Sequence, residues 1–254
     1  MTGTAEADSS PLRTAARITA LVLLFFACLP PHLVAKRGGR RSPWPRRFLG
    51  AAAYIIGARV TASGAPVEPH SLLISNHVTW LDVLILGGAT GCAFVSKDEV
   101  RTAPVMGWLA DQNRTLYIRR AERRNSHAQA AAIAAVLSDP QPLALFPEGT
   151  TGGGDTLLPF RSTLLEAVAP PPPGVAVRPV AVDYGPATRV FGWPRPETGK
   201  TNALRILGHR GTSPIIVRLL DPLPRSDDRK AIAKTAHDVI AAALAASNPA
   251  RPTL

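Results

Sequence analysis

The feature that most constrains this chain is a short branched apolar run, Leu72-Leu73-Ile74, that ends in Ser75-Asn76-His77 and gives way to Val78-Thr79-Trp80-Leu81-Asp82. An apolar run of that length, bounded by polar residues, reads as a buried strand. Thr79 to Leu86 then reads as a helix ended by Gly87-Gly88. A strand-loop-helix junction of this kind lies at the carboxyl edge of an α/β sheet, where ligand sites form. His77 and Asp82 are five residues apart, about 500° around a helix, so they share no helical face. They meet only if His77 stays in the loop and turns back onto Asp82. Histidine accepts protons near neutral pH, and a carboxylate on its other ring nitrogen fixes the tautomer and steadies the imidazolium. Alone, the pair reads equally well as a buried histidine beside a helix-start carboxylate or as a base that takes a proton from a hydroxyl.

The alternation continues. Cys92 to Ser96, Thr115 to Ile118, Leu143 to Phe146, Val175 to Val182 and Ile215 to Leu219 read as strands. Pro104 to Asp111, Ser126 to Leu137 and Leu164 to Val168 read as helices, and Pro170 to Pro173 must be a loop. Tyr184 to Asn202 is loop-rich. Ser226 caps a terminal helix with Asp227 and Asp228 in its first turn, where the helix dipole favours them. Helices alternating with strands predict an α/β fold, a mixed sheet flanked by helices, and 254 residues suffice for one such domain and an appendage.

The appendage is N-terminal. After a polar, loose segment 1–17, the stretch Ile18 to Ala35 carries no acidic or basic residue except His32. Pro30-Pro31 interrupts it, and a helix from Ile18 to Leu29 would be about 18 Å long, short of the roughly 30 Å of a bilayer core. Lys36, Arg37, Arg40, Arg41, Arg46 and Arg47 follow, then a second apolar stretch, Phe48 to Val60. Two short apolar helices around a basic hinge predict an in-plane anchor on an anionic leaflet, with the basic cluster on the cytoplasmic face of the inner membrane. The expected division is 1–17, an anchor over 18–62 and the main domain over 63–254. A cleaved signal peptide lacks a small-residue cleavage site here. Packing of both helices on the domain is the competing reading.

The net charge of +11 favours acidic partners, and the sparse aromatics, 6% of residues, argue against a stacking surface for single-stranded nucleic acid. Cys28 and Cys92 form no disulfide framework or metal cluster. His77 and Asp82 lack a third ligand nearby, so no metal site is expected. Gly87-Gly88-Ala89-Thr90-Gly91 follows a helix rather than a strand, which rejects a dinucleotide loop.

A second string, Phe146-Pro147-Glu148-Gly149-Thr150, follows another apolar strand. Gly149 and Gly152-Gly153-Gly154 permit turns closed to other residues, and their amides are candidates to cradle an oxyanion or phosphate. Arg119-Arg120 ends a predicted strand and Arg161 follows Pro159-Phe160. On the sheet edge of His77 they would clamp a phosphate bidentately, and away from it they are solvated charges.

Asn76-His77 with Asp82, then Arg120, then Phe146 to Thr150, then Arg178-Pro179-Val180-Ala181-Val182 resemble the four ordered blocks of the glycerolipid acyltransferases, the superfamily of bacterial 1-acylglycerol-3-phosphate acyltransferases. The resemblance covers about residues 70–184, with Lys97 and Pro104 to Trp108 between blocks. It implies that His77 is the general base, that Asp82 orients it, and that the acceptor hydroxyl attacks an acyl-carrier-protein or coenzyme A thioester directly, with no cofactor and no acyl-enzyme. It gives Arg120, Glu148 and Gly149 acceptor-binding positions, with Asn76, Phe146, Pro147, Thr150 and Arg161 around them. Arg119 stands where many relatives have Asp, and Phe160-Arg161-Ser162 replaces the commoner Phe-Lys-x-Gly. The Phe-Arg-Ser form, with Asp228-Arg229-Lys230, is similar to lyso-ornithine lipid acyltransferases of the same superfamily. The expected acceptor is lysophosphatidate, giving phosphatidic acid, with lyso-ornithine lipid as the alternative. A basic membrane-surface binding protein without chemistry is the non-enzymatic reading, and a nucleic-acid binder the third.

Overall fold

The computed structural model describes residues 9–39, 41–118, 126–194 and 196–247. In chain order the elements are α1 (Pro11–Arg37), α2 (Trp44–Ile56), β1 (Ala58–Ser63), β2 (Ser71–Ser75), α3 (Leu81–Thr90), β3 (Ala93–Lys97), α4 (Asp98–Arg101) and α5 (Pro104–Gln112). Then come β4 (Leu116–Ile118), α6 (Ser126–Leu137), β5 (Leu143–Leu145), a 3-10 turn (Thr163–Val168), β6 (Ala176–Asp183), α7 (Thr188–Phe191), α8 (Gly199–Gly208), β7 (Ser213–Leu219) and α9 (Arg229–Ser247). The seven strands form one sheet in the order β1-β7-β6-β2-β5-β3-β4. Strands β2 to β6 run parallel, β7 is antiparallel to β6, and β1 is parallel to β7. The sheet is mixed, as expected, and its five parallel strands send their carboxyl ends to one edge.

Every residue of β2 is buried, because helices cover both faces of a mostly parallel sheet. Side chains alternate across a strand, so Leu73 enters one core with Ile56, Leu81, Ile85 and Ile206. Leu72 and Ile74 enter the other, with Ile133, Leu137, Leu143, Ile232 and Ala236. Helices α2, α3 and α8 therefore lie on one face, and α6 and α9 on the other.

Four expectations are corrected. Helix α1 runs unbroken from Pro11 to Arg37, through Pro30-Pro31, and is about 40 Å long at 1.5 Å per residue. Prolines there remove backbone donors, but contacts on both sides hold the helix. Phe25 packs edge-on against Phe48 and Trp108 before the prolines, and His32 bonds Ser42 and Gln112 after them. One long apolar helix thus replaces the first half of the two-helix anchor. Its second half packs on the domain, where α2 buries Ala52, Ala53 and Ile56, and residues 58–62, assigned to the anchor, belong to the sheet's edge strand.

Gly87-Gly88 does not end α3, which continues to Thr90 and is capped by Gly91 in the left-handed region. The glycines are where α2 crosses α3, since a Cβ at position 88 would come 2.5 Å from the Gly50 Cα. The segment read as loop-rich contains the start of α8, whose N-cap Thr198 accepts from the Thr201 amide. Finally, α9 begins at Arg229, two residues late, because Asp228 rather than Ser226 caps it by accepting the Lys230 N–H at 2.7 Å.

Candidate active site

Asn76 and His77 directly follow β2 at the carboxyl edge. Asn76 is buried and clamped to the neighbouring strand, since its amide donates to Val182 O at 3.0 Å and its carbonyl accepts the Val182 N–H at 2.8 Å. It therefore sets where β2 ends relative to β6, and with it the start of the His77 loop. The helix begins at Leu81 rather than Thr79, which puts Asp82 in its first turn. The loop bends back as geometry requires: His77 Nδ1 lies 2.8 Å from Asp82 Oδ2. The same oxygen accepts the backbone N–H groups of Val78 at 2.7 Å and Thr79 at 2.9 Å. The carboxylate is fully buried, while the imidazole keeps 19% exposure. With Nδ1–H given to Asp82, Nε2 is the ring's proton acceptor, on a side chain that solvent or substrate can reach.

Two further contacts fix the ring. Phe146 stacks on His77 with centroids 4.2 Å apart and planes 15° from parallel, and Phe94 stacks behind Phe146 at 6.0 Å. Glu148, only 3% exposed, accepts the His77 N–H on Oε1 at 2.6 Å and the Leu158 N–H on Oε2 at 3.2 Å. The Gly152 N–H donates to His77 O at 2.8 Å. Both sides of the His77 backbone are therefore held by the segment after β5.

The structure brings Asn76, His77, Asp82, Phe146 and Glu148 together, with Pro147 buried beside them. Gly149 turns the chain at φ 74°, and its N–H donates to Phe146 O at 3.1 Å. Gly149 and Gly152 thus use their amides inside the fold, which corrects the expectation that they face an oxyanion. Thr150 is half-buried. Arg161 is exposed, and its backbone N–H holds Pro147 O at 3.0 Å. Arg120 lies outside the described residues. Arg178 is buried and ties loops, donating to Leu220 O at 2.6 Å and Pro66 O at 2.7 Å.

Sequence reasoning missed two residues. The Tyr184 hydroxyl lies 2.5 Å from Asp82 Oδ1. Burial, then the Asp82 charge, pushes the phenol's ionisation well above its ordinary value, so it stays a donor. Trp80 Nε1–H donates to Asn202 Oδ1 at 3.0 Å, fastening the site loop to α8. The signal for Tyr184 was its place at the end of β6, one strand from β2.

The same span of sequence carries the likeness to known proteins. A family model described as Acyltransferase matches residues 58–183. A lyso-ornithine lipid O-acyltransferase of Rhodobacter capsulatus is 32% identical over 85% of this chain and 83% of its own length. The chain belongs to the glycerolipid acyltransferase superfamily. It is an acyltransferase. A 1-acyl-sn-glycerol-3-phosphate acyltransferase of Neisseria gonorrhoeae is 33% identical, over 52% of this chain and 51% of its own length. The crystal structure of PlsC, the 1-acyl-sn-glycerophosphate acyltransferase of Thermotoga maritima, has the same fold. It matches with a TM-score of 0.58 at 18% identity, over 94% of this chain and 100% of that one. The acyltransferase match begins at the first residue of β1 and ends at the last of β6, so it contains every strand but β7.

Proposed function

We propose that this acyltransferase is a lyso-ornithine lipid O-acyltransferase in which His77 is the general base. His77 Nε2 takes the proton of the lysolipid hydroxyl, the freed oxygen attacks the thioester carbonyl of acyl-carrier protein or acyl-coenzyme A, and the departing thiolate takes up that proton from the imidazolium. The observation that carries the chemistry is the bond from His77 Nδ1 to the buried Asp82. It fixes the tautomer and supports the positive charge during transfer. The site asks nothing of a cofactor: proximity and a positioned base supply the rate. Phe146, Thr150 and Arg161 belong to the acceptor side of the imidazole, and Glu148 acts through the backbone it holds.

The headgroup assignment reverses the order expected from the sequence. The Rhodobacter relative supports it along nearly the whole chain, whereas the Neisseria relative matches about half. The second reading, lysophosphatidate, is favoured by the net charge of +11 and by the exposed Arg161 near the site.

Helix α1 serves as an in-plane anchor on the cytoplasmic face of the inner membrane. It is long and apolar enough to cross a membrane, and only 11% of its apolar window is buried, so it is no core helix. Both its ends are tied to the domain. Ser10 N–H and Arg13 Nε donate to Gly208 O at 3.0 and 2.9 Å, while His32 and Lys36 reach Gln112. A helix held at both ends along one domain lies flat in a leaflet, with Lys36 and Arg37 at anionic headgroups.

Free-thiol release from an acyl thioester, measured for the purified enzyme in micelles with each lysolipid, tests the assignment. Turnover is expected to be at least about tenfold faster with lyso-ornithine lipid, the discrimination that about 1.4 kcal/mol of differential binding gives. Turnover with lysophosphatidate alone overturns the headgroup, and turnover with neither overturns the reading.

A further inference from the structure

We infer that Tyr184 is a positioning residue of the His77–Asp82 pair, holding the carboxylate in register with the imidazole through its second oxygen; the inference rests on the general-base reading above. Asp82 receives four donors. Oδ2 takes His77 Nδ1–H and the Val78 and Thr79 amides, and Oδ1 takes the Tyr184 hydroxyl at 2.5 Å. Rotation about the Cβ–Cγ bond moves both oxygens together, so three donors on Oδ2 and the phenol on Oδ1 hold the carboxylate plane at two points. The phenol also draws charge onto Oδ1, the oxygen turned away from the imidazole.

Tyr184 is itself fixed. It directly follows β6, which lies next to β2 in the sheet, and is 3% exposed. Its ring is tilted against Phe191 at 6.2 Å, and its carbonyl accepts the Ala187 N–H at 2.8 Å. The bridge therefore reaches the start of α3 from a strand other than the one that carries the histidine. Among the described residues, charges facing the trio are few. From the β5 side Glu148 holds the His77 amide, and Asp183, beside Tyr184, pairs with Arg218 at 3.2 Å. A hydrogen bond to a buried charge is stronger than a neutral one, and removing a donor leaves that charge less well compensated.

The test is Tyr184→Phe, which keeps ring and volume. The turnover number is expected to fall about tenfold, the loss of one hydrogen bond to a charged group, with KM for lysolipid and thioester within about twofold. The acid limb of the kcat/KM profile is expected to move to higher pH, because Asp82 keeps more charge on the oxygen facing the imidazole. In an Asp82→Asn background the same change is expected to add nothing, since Tyr184 acts through that carboxylate. An unmoved acid limb, or an equal loss in both backgrounds, overturns the inference. Should Tyr184→Phe not fold, 3-fluorotyrosine at 184 keeps the hydroxyl and makes it a stronger donor; the limb is then expected to move to lower pH, and no movement overturns the inference. Absence of turnover in the unmodified enzyme sinks the general-base reading instead, so the two failures are distinct.

Discussion

Two histidines divide the molecule between them. His77 sits at the carboxyl edge of β2 against a carboxylate, and His209 sits in the seam where α1 meets the end of α8. His77 gives Nδ1–H to an anion and keeps an accessible face. His209 is 7% exposed, and its Nδ1 lies 2.6 Å from Ile206 O and 2.9 Å from the Arg17 guanidinium. Burial, and then the charges of Arg17 and Arg13, push His209 below its ordinary proton affinity. In the proposed mechanism the ring carries a proton beside an acid, whereas beside cations the same ring is a neutral packing element. The neighbour's sign, more than the residue type, separates chemistry from scaffold.

The largest effect that breaks the comparison is His77→Ala. Acyl transfer is expected to fall by about a thousandfold, within the range for a lost general base, while liposome binding stays intact. Unchanged transfer rules out the proposed base. Arg17→Ala probes the other region. It removes donors to the carbonyls of Ile206, Leu207 and His209, which α8 leaves open at its C-terminal end. Stability is expected to drop by about 1–3 kcal/mol, read as a melting temperature a few degrees lower, with thioester release in micelles nearly unchanged. A loss of turnover as large as that of His77→Ala would erase the distinction.

The smallest effect is the pH slope. A histidine whose folded proton affinity lies below the ordinary value of 6.5 is protonated more readily in the unfolded chain. Its contribution is fully present above that value and is lost as pH falls below it. Melting temperature is expected to decline between about pH 6.5 and pH 5, and His209→Gln is expected to flatten that segment of the curve. A slope unchanged by the substitution places its origin elsewhere.

How much of this was legible follows from sequence separation. His77 and Asp82 could be paired from their spacing because the turn that joins them is local. The strands β2, β5 and β6 were legible because burial on both faces demands continuous branched apolar residues. Glu148 and Tyr184 reach the site across strands, and nothing in a linear reading says which atoms they meet. The start of α8 was hidden because it begins with Gly199 at the end of a proline- and glycine-rich stretch, and its hold on the rest comes from Asn202 and Arg205 bonding Glu197 and Gly192. Strand β1, Ala-Arg-Val-Thr-Ala-Ser, lacks an apolar run and exists through its pairing with β7. The prolines in α1 misled because a local rule about missing donors was overruled by tertiary contacts.

The bracket that Glu148 and Gly152 form around the His77 backbone has a mechanical outcome. Swinging the glycine-rich segment aside would drag the imidazole out of line with its acid. On the proposed general-base mechanism, a flap at that place would open only by disarming the base, so a lysolipid would enter alongside a wall that stays shut.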